Sequence, residues 1–140
     1  MTEWSWNILL LSSDNIVDLD RFNKKNTLDY EHIDFTLSVP TVDPVLEWGT
    51  RFNANFDDYP DGYSFVTYPN GYNNNNLIYE FRTIWDPPVQ YCKTVSKLYP
   101  SVTFILSTDY NNVNTEITFN NGQILLETYN NYSDDEYSSE

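Results

Sequence analysis

Residues 77–100 read LIYEFRTIWDPPVQYCKTVSKLYP, and the elements they spell in that order decide the fold. Leu77, Tyr79, Phe81 and Thr83 alternate with Ile78, Glu80, Arg82 and Ile84, the period of a strand whose outer face can form ion pairs. Asp86-Pro87-Pro88 then predicts a helix start, because an aspartate accepts hydrogen bonds from free backbone N–H groups and a proline in the first turn forfeits none. The helix is expected to run to Leu98, with Val89, Cys92, Val95 and Leu98 on one stripe and Lys93 and Lys97 pointing elsewhere, and Pro100 stops it. Val102, Phe104 and Leu106 make the following strand.

The N-terminal part repeats this logic. Trp4, Trp6, Ile8 and Leu10 alternate with Ser5 and Asn7, as in a half-buried strand, before the chain becomes apolar on both faces, so a central strand is expected over residues 4–11. Ser13 or Asp14 would cap a short helix carrying Ile16, Leu19 and Phe22, with Asp18 early and Lys24 and Lys25 in the last turn, where the helix dipole favours them. Ile33, Phe35, Leu37 and Val39 alternate with Asp34, Thr36 and Ser38, which predicts a second strand that Pro40 ends. Past the last strand of the second half, Ile117 and Phe119 lead into Asn121-Gly122, a pair that tolerates the positive φ angles of a type I′ turn, and then into residues 124–129.

Strand, helix, strand, strand, helix, strand is the order of an α+β, ferredoxin-like split βαβ domain with helices on one sheet face and an added C-terminal β-hairpin. One such domain is expected over residues 1–130, with a loop-like insertion at 41–76, and 131–140 as an acidic flexible tail. The single cysteine, Cys92, permits no internal disulfide. No apolar run approaches the roughly 20 residues of a membrane helix, and Glu3 stands where a signal peptide carries a cation, so a cytoplasmic protein with no membrane partner is expected.

Three segments resemble the YubB-type ferredoxin-like domain family of plasmid, pathogenicity-island and phage proteins. They are Trp4-Ser5-Trp6-Asn7, then Trp48-Gly49-Thr50-Arg51-Phe52-Asn53-Ala54, then Phe81-Arg82-Thr83-Ile84-Trp85-Asp86-Pro87-Pro88 followed by Leu98-Tyr99-Pro100. The chain departs from the family pattern at Ser5, where a cysteine is usual, and near Phe52, where a second tryptophan is usual. The resemblance implies the same fold and an origin in a mobile genetic element. It assigns no catalytic residue. As structural parts, Trp48, Trp85 and the proline pair would fix the core and a turn.

Chemistry is sparse in this sequence. Nucleophilic catalysis needs a Ser or Cys beside a base, yet His32 is the lone histidine and Cys92 falls on the buried stripe of a helix. One His and one Cys cannot hold a structural zinc, and Asp57, Asp58 and Asp61 lack the spacing of an EF-hand, so neither a metal nor another cofactor is assigned. The excess of 21 acidic over 7 basic residues gives 7 − 21 = −14, which repels nucleic acid and anionic membranes and attracts basic protein surfaces, or simply keeps an aromatic-rich chain in solution. An RNA-binding sheet would need cations beside its aromatics, whereas Arg21, Lys24, Lys25, Lys93 and Lys97 fall on the helices, so no direct nucleic acid partner is expected.

The expected activity is therefore non-enzymatic: an acidic protein of phage or mobile-element type that inhibits a host defence protein by docking on its basic surface. DNA mimicry is the sharpest form. Spread evenly over about 7,500 Å² the acids would lie about 19 Å apart, beyond the ~8 Å screening length, so mimicry requires clusters. Two exist, Asp57, Asp58 and Asp61 with Tyr59 and Tyr63, and Asp134, Asp135 and Glu136 in the tail. A self-assembling accessory protein of the element and a carboxylate-dependent enzyme are the alternatives.

Overall fold

The computed structural model describes residues 4–28, 32–54, 65–67, 76–110 and 112–131. Strand β1 (Trp4–Ser12) leads into α1 (Ile16–Asn26), a single 3-10 turn (Phe35–Leu37) and the one-turn helix α2 (Pro44–Glu47). Then come β2 (Phe65–Thr67), β3 (Asn76–Ile84), α3 (Val89–Leu98), β4 (Thr103–Tyr110), β5 (Val113–Asn120) and β6 (Gln123–Asn131). The strands form one six-stranded sheet in the order β2-β3-β1-β4-β5-β6, with every neighbouring pair antiparallel.

Alternate residues of the four central strands build the core. Leu9 and Leu11 of β1 share one sheet face with Leu77, Tyr79 and Phe81 of β3, Phe104 and Leu106 of β4, and Ile117 and Phe119 of β5. Against that face α1 buries Leu19 and Phe22, and α3 buries Tyr91, Cys92 and Val95. The Phe22 ring meets Tyr79 at 5.9 Å and Phe104 at 5.5 Å, spanning β3 and β4 from one side. Among the described residues no helix is long and apolar enough to cross a membrane.

Four sequence expectations need correction. The strand expected at 33–39 does not form. Ile33 makes an isolated bridge to Thr27, and the Asp34 carboxylate accepts hydrogen bonds from the Thr36 N–H at 2.9 Å, the Thr36 hydroxyl at 2.6 Å and the Asn53 amide at 2.8 Å. These local side-chain bonds turn the backbone into a 3-10 helix instead of a ladder. Ile33, Phe35 and Val39 still reach the core.

The place beside β3 is taken by β2, which lies within the expected insertion, so 41–76 holds an edge strand and the helical turn α2 as well as loop. Helix α1 is capped by Asn15, whose side-chain oxygen Oδ1 accepts from the N–H groups of Val17 and Asp18, and not by Ser13 or Asp14. Helix α3 starts after the proline pair with no side-chain cap, so Asp86 does not serve there.

The hairpin after the second half forms as expected. Asn121 and Gly122 carry φ angles of 51° and 80°, and Asn120 pairs with Gln123 across the turn.

Candidate functional site

The acidic residues singled out from sequence cannot be placed. Asp57, Asp58, Tyr59, Asp61 and Tyr63 fall in 55–64, and Asp134, Asp135 and Glu136 in 132–140, both outside the described residues.

What the fold does bring together is the set of three separated tryptophan motifs. The Ser5 hydroxyl donates to the carbonyl of Trp85, and the Asn7 amide donates to the Thr83 hydroxyl at 3.1 Å and to the Ser5 carbonyl at 3.3 Å. In turn the Thr83 hydroxyl donates to the Asp86 carbonyl at 2.7 Å, and the Thr50 hydroxyl to the Ile84 carbonyl at 3.2 Å. Ser5, Asn7, Thr50 and Thr83 are all buried. Their bonds satisfy the backbone of a bend that the ladder cannot reach, and within it Trp85 adopts φ 68°, a left-handed conformation that costs a bulky residue free energy.

Trp85 is exposed, with the Arg51 guanidinium 5.0 Å from its ring centroid. Trp48 has the opposite role: it is buried and its indole N–H donates to the Val39 carbonyl at 2.7 Å. Trp48 therefore packs as part of the core, while Trp85 is held facing outward.

The second feature is the sheet face turned away from the helices. Along β1 the burial runs opposite to the sequence expectation, since Ser5, Asn7, Leu9 and Leu11 face the core while Trp6 and Ile8 are 52% and 43% exposed. Leu9 and Leu11 fix this phase by joining the core rows of β3 and β4, which carries Ser5 and Asn7 inward with them. The parity of Leu9 and Leu11 was the signal in the sequence, and the two tryptophans outweighed it.

On this face Trp6 lies between Arg82 and Asp109, Ile8 between Glu80 and Ser107, and Leu10 between Ile78 and Ile105. Glu116 lies beyond Ser107. The Arg82 guanidinium stacks 3.9 Å from the Trp4 ring centroid and 5.9 Å from that of Trp6. An apolar stripe thus runs up the centre of the sheet with carboxylates of Glu80, Asp109 and Glu116 at its sides.

Among the described residues the titratable groups show no nucleophile paired with a base. The Cys92 thiol is wholly buried, and burial pushes its pKa far above the ordinary value, which keeps it protonated and unreactive. Backbone bonding in the loop after α1 uses the His32 carbonyl, which accepts from the Leu28 N–H at 2.9 Å. Among the described residues no group of three His, Cys, Asp or Glu side chains is placed to hold a metal ion. Arg21, Lys24, Lys25 and Tyr99 line a shallow open hollow on α1, where Arg21 is paired with Asp18 at 2.8 Å.

No family model matches the chain, and no curated protein and no solved structure matches it either.

Proposed function

We propose that this chain is a non-enzymatic binding protein of phage or mobile-element type, and that it inhibits a host protein by seating the outward sheet face on a basic, partly apolar surface. One observation carries the reading: Trp6 and Ile8 are about half exposed at the centre of the sheet, with Arg82 beside Trp6 and the carboxylates of Glu80, Asp109 and Glu116 around them. Large apolar side chains among charged ones, here the Glu80, Asp109 and Glu116 carboxylates and the Arg82 guanidinium, fit a protein-contact surface, in which the aromatic residue supplies affinity and the charges supply orientation and rate. The net charge of −14 favours a basic partner over nucleic acid. DNA mimicry would have to come from the two acidic clusters that lie outside the described residues.

A ferredoxin-like assignment belongs to the same proposal. Its support is the chain order around the two long helices, with β3 lying between β1 and β2, and β1 between β3 and β4. The membership suggested by the tryptophan motifs rests on those motifs alone, and their convergence on one hydrogen-bonded bend around Trp85 supports reading them as a unit.

The test is a photoreactive amino acid at Ile8, with the captured host protein then titrated against the unmodified chain and a Trp6→Ser/Ile8→Ser variant. Both side chains are exposed, so the variant should fold. Binding weakened by more than about tenfold, with an association rate that falls as salt rises, is the expected result. Equal affinity of the two proteins for that partner would remove the sheet face from the reading.

A further inference from the structure

Two segments far apart in the chain are pinned together where β3 ends. Thr50 is buried and its hydroxyl donates to the Ile84 carbonyl, while the Asn53 Oδ1 accepts from the N–H groups of Phe35 and Ala54, each at 2.8 Å, so Arg51 and Phe52 lie between two anchored residues. Trp85 has anchors of its own, since Ser5 bonds to its carbonyl and Thr83 to that of Asp86. The side chains these anchors leave exposed are Arg51, Phe52 and Trp85. The bend itself does not call for a tryptophan, because at φ 68° glycine or asparagine would adopt the left-handed conformation at less cost, and an indole that is 40% exposed is not part of the core. Its ring instead carries the Arg51 guanidinium, 5.0 Å from the centroid. Among the described residues Arg51 makes no ion pair, not even with the adjacent Asp86 carboxylate, in a chain with 21 acidic residues.

We propose that Arg51 and Trp85 form a binding site for a carboxylate attached to a flat apolar group, with the carboxylate on the guanidinium and the flat group on the exposed aromatic surface of Trp85 and Phe52. The site stands apart from the sheet-face contact, since Arg51 and Phe52 belong to the segment after α2 and Trp85 to the bend after β3. A guanidinium held over an indole keeps N–H donors free at its edge, and their fork matches the two oxygens of a carboxylate. Both halves of the site are pinned by hydrogen bonds within the chain, so little ordering entropy opposes binding.

Charge selects the class of anion. A chain of net charge −14 repels a dianion more than a monoanion, and a polyanion most. A phosphate monoester carries roughly two charges at neutral pH and would leave one of them unmatched at a single guanidinium, whereas a carboxylate leaves none. The flat group is required as well, because an exposed ion pair by itself contributes little and contact with an indole face supplies the rest.

The test is titration of the isotope-labelled full chain with N-acetylphenylalanine, followed by nuclear magnetic resonance at the Trp85 indole N–H. The expected dissociation constant is on the order of 1 mM or below, in the range open to a ligand of this size. N-acetylphenylalaninamide keeps the ring and loses the charge, and acetate keeps the charge and loses the ring, so each should bind at least about tenfold more weakly, as should adenosine monophosphate. Phenylacetate and a peptide ending in phenylalanine both carry the required chemistry, and the tighter of the two identifies the source as a free acid or a polypeptide end. Arg51→Gln should bind acid and amide alike, and Trp85→Asn should weaken the acid by about tenfold with no fall in melting temperature, because asparagine suits the bend. Arg51→Gln alters only an exposed side chain, so it decides the matter if Trp85→Asn does not fold. No shift of the Trp85 resonance up to about 10 mM acid, equal affinity for acid and amide, tighter binding of the nucleotide, or an acid affinity that survives Arg51→Gln would each overturn the proposal.

Discussion

The backbone N–H of Tyr91 donates to the carbonyl oxygen of Trp48 at 3.0 Å, so the first turn of α3 is capped by a loop from the other half of the chain. Gly49 makes this approach possible. Its φ is +84°, and a Cβ there would stand 2.9 Å from the Gln90 nitrogen and 3.2 Å from that of Val89. Gly49→Ala should therefore destabilise the fold by about 2 kcal/mol or more, from left-handed strain and a clash with backbone that cannot yield. Urea titration would check this, and a midpoint equal to that of the unaltered chain would contradict the capping role.

Most of the element order was legible because strand and helix periods are written in consecutive residues. β1, α1, β3, α3, β4 and the Asn121-Gly122 turn all carry that signal. The 33–39 segment misled because its alternation is real and its apolar residues are buried, but the Asp34 carboxylate bonds locally to Thr36, and Asn53, distant in sequence, adds bonds to Asp34 and to the Phe35 N–H that no window around residue 35 contains. The edge strand β2, three residues long, is too short to show a period. Of the candidate site, acidity was visible and placement was not, while the outward turn of Trp6 depended on which parity of β1 joined the core.

Tyr91 shows that local satisfaction is incomplete in the core. Its ring packs 4.3 Å from that of Phe35, and its buried hydroxyl has no hydrogen-bond partner among the described residues. Burial, with lesser contributions from neighbours, pushes the phenol well above its ordinary pKa. Tyr91→Phe should leave stability unchanged or raise it by about 1 kcal/mol, since it removes an unpaired polar group and keeps the ring. A loss of similar size on thermal melting would mean that the hydroxyl is bonded in solution.

The buried Cys92 thiol should react with a disulfide reagent at pH 8 at least about 100-fold more slowly in the native protein than in urea, because both access and thiolate are denied. Cys92→Ser should leave partner binding intact. Fast native labelling would place α3 differently from the packing described.

At Asp34, burial pushes the carboxyl pKa up, but hydrogen bonds from the Thr36 side chain, Asn53 and the Thr36 backbone outweigh it, and the net shift is below the ordinary 3.8. A depressed folded pKa gives stability that is present above the unfolded value and lost as pH falls through the folded one. The melting temperature of Asp34→Asn should therefore lie below that of the unaltered chain at neutral pH, and the gap should close below pH 3.8. A gap constant down to pH 2.5 would show that the charge of Asp34 is not what holds the turn.

The hairpin is tied to the rest of the domain through the Gly122 N–H, which donates to the Ser96 hydroxyl at 2.9 Å, while that hydroxyl donates to the Lys93 carbonyl at 2.8 Å. Ser96 is buried in α3, so Ser96→Ala leaves the Gly122 N–H without its partner and costs about 1 kcal/mol at that contact. Because β6 buries little of itself, the loss should appear as local opening more than as global unfolding. Amide exchange in β6 should quicken by about fivefold, while amides of β1 and β3, at the centre of the sheet, should change far less. Uniform acceleration across all strands would show instead that the hairpin and the core open as one unit, and that β6 contributes to the stability of the single chain in spite of its exposure.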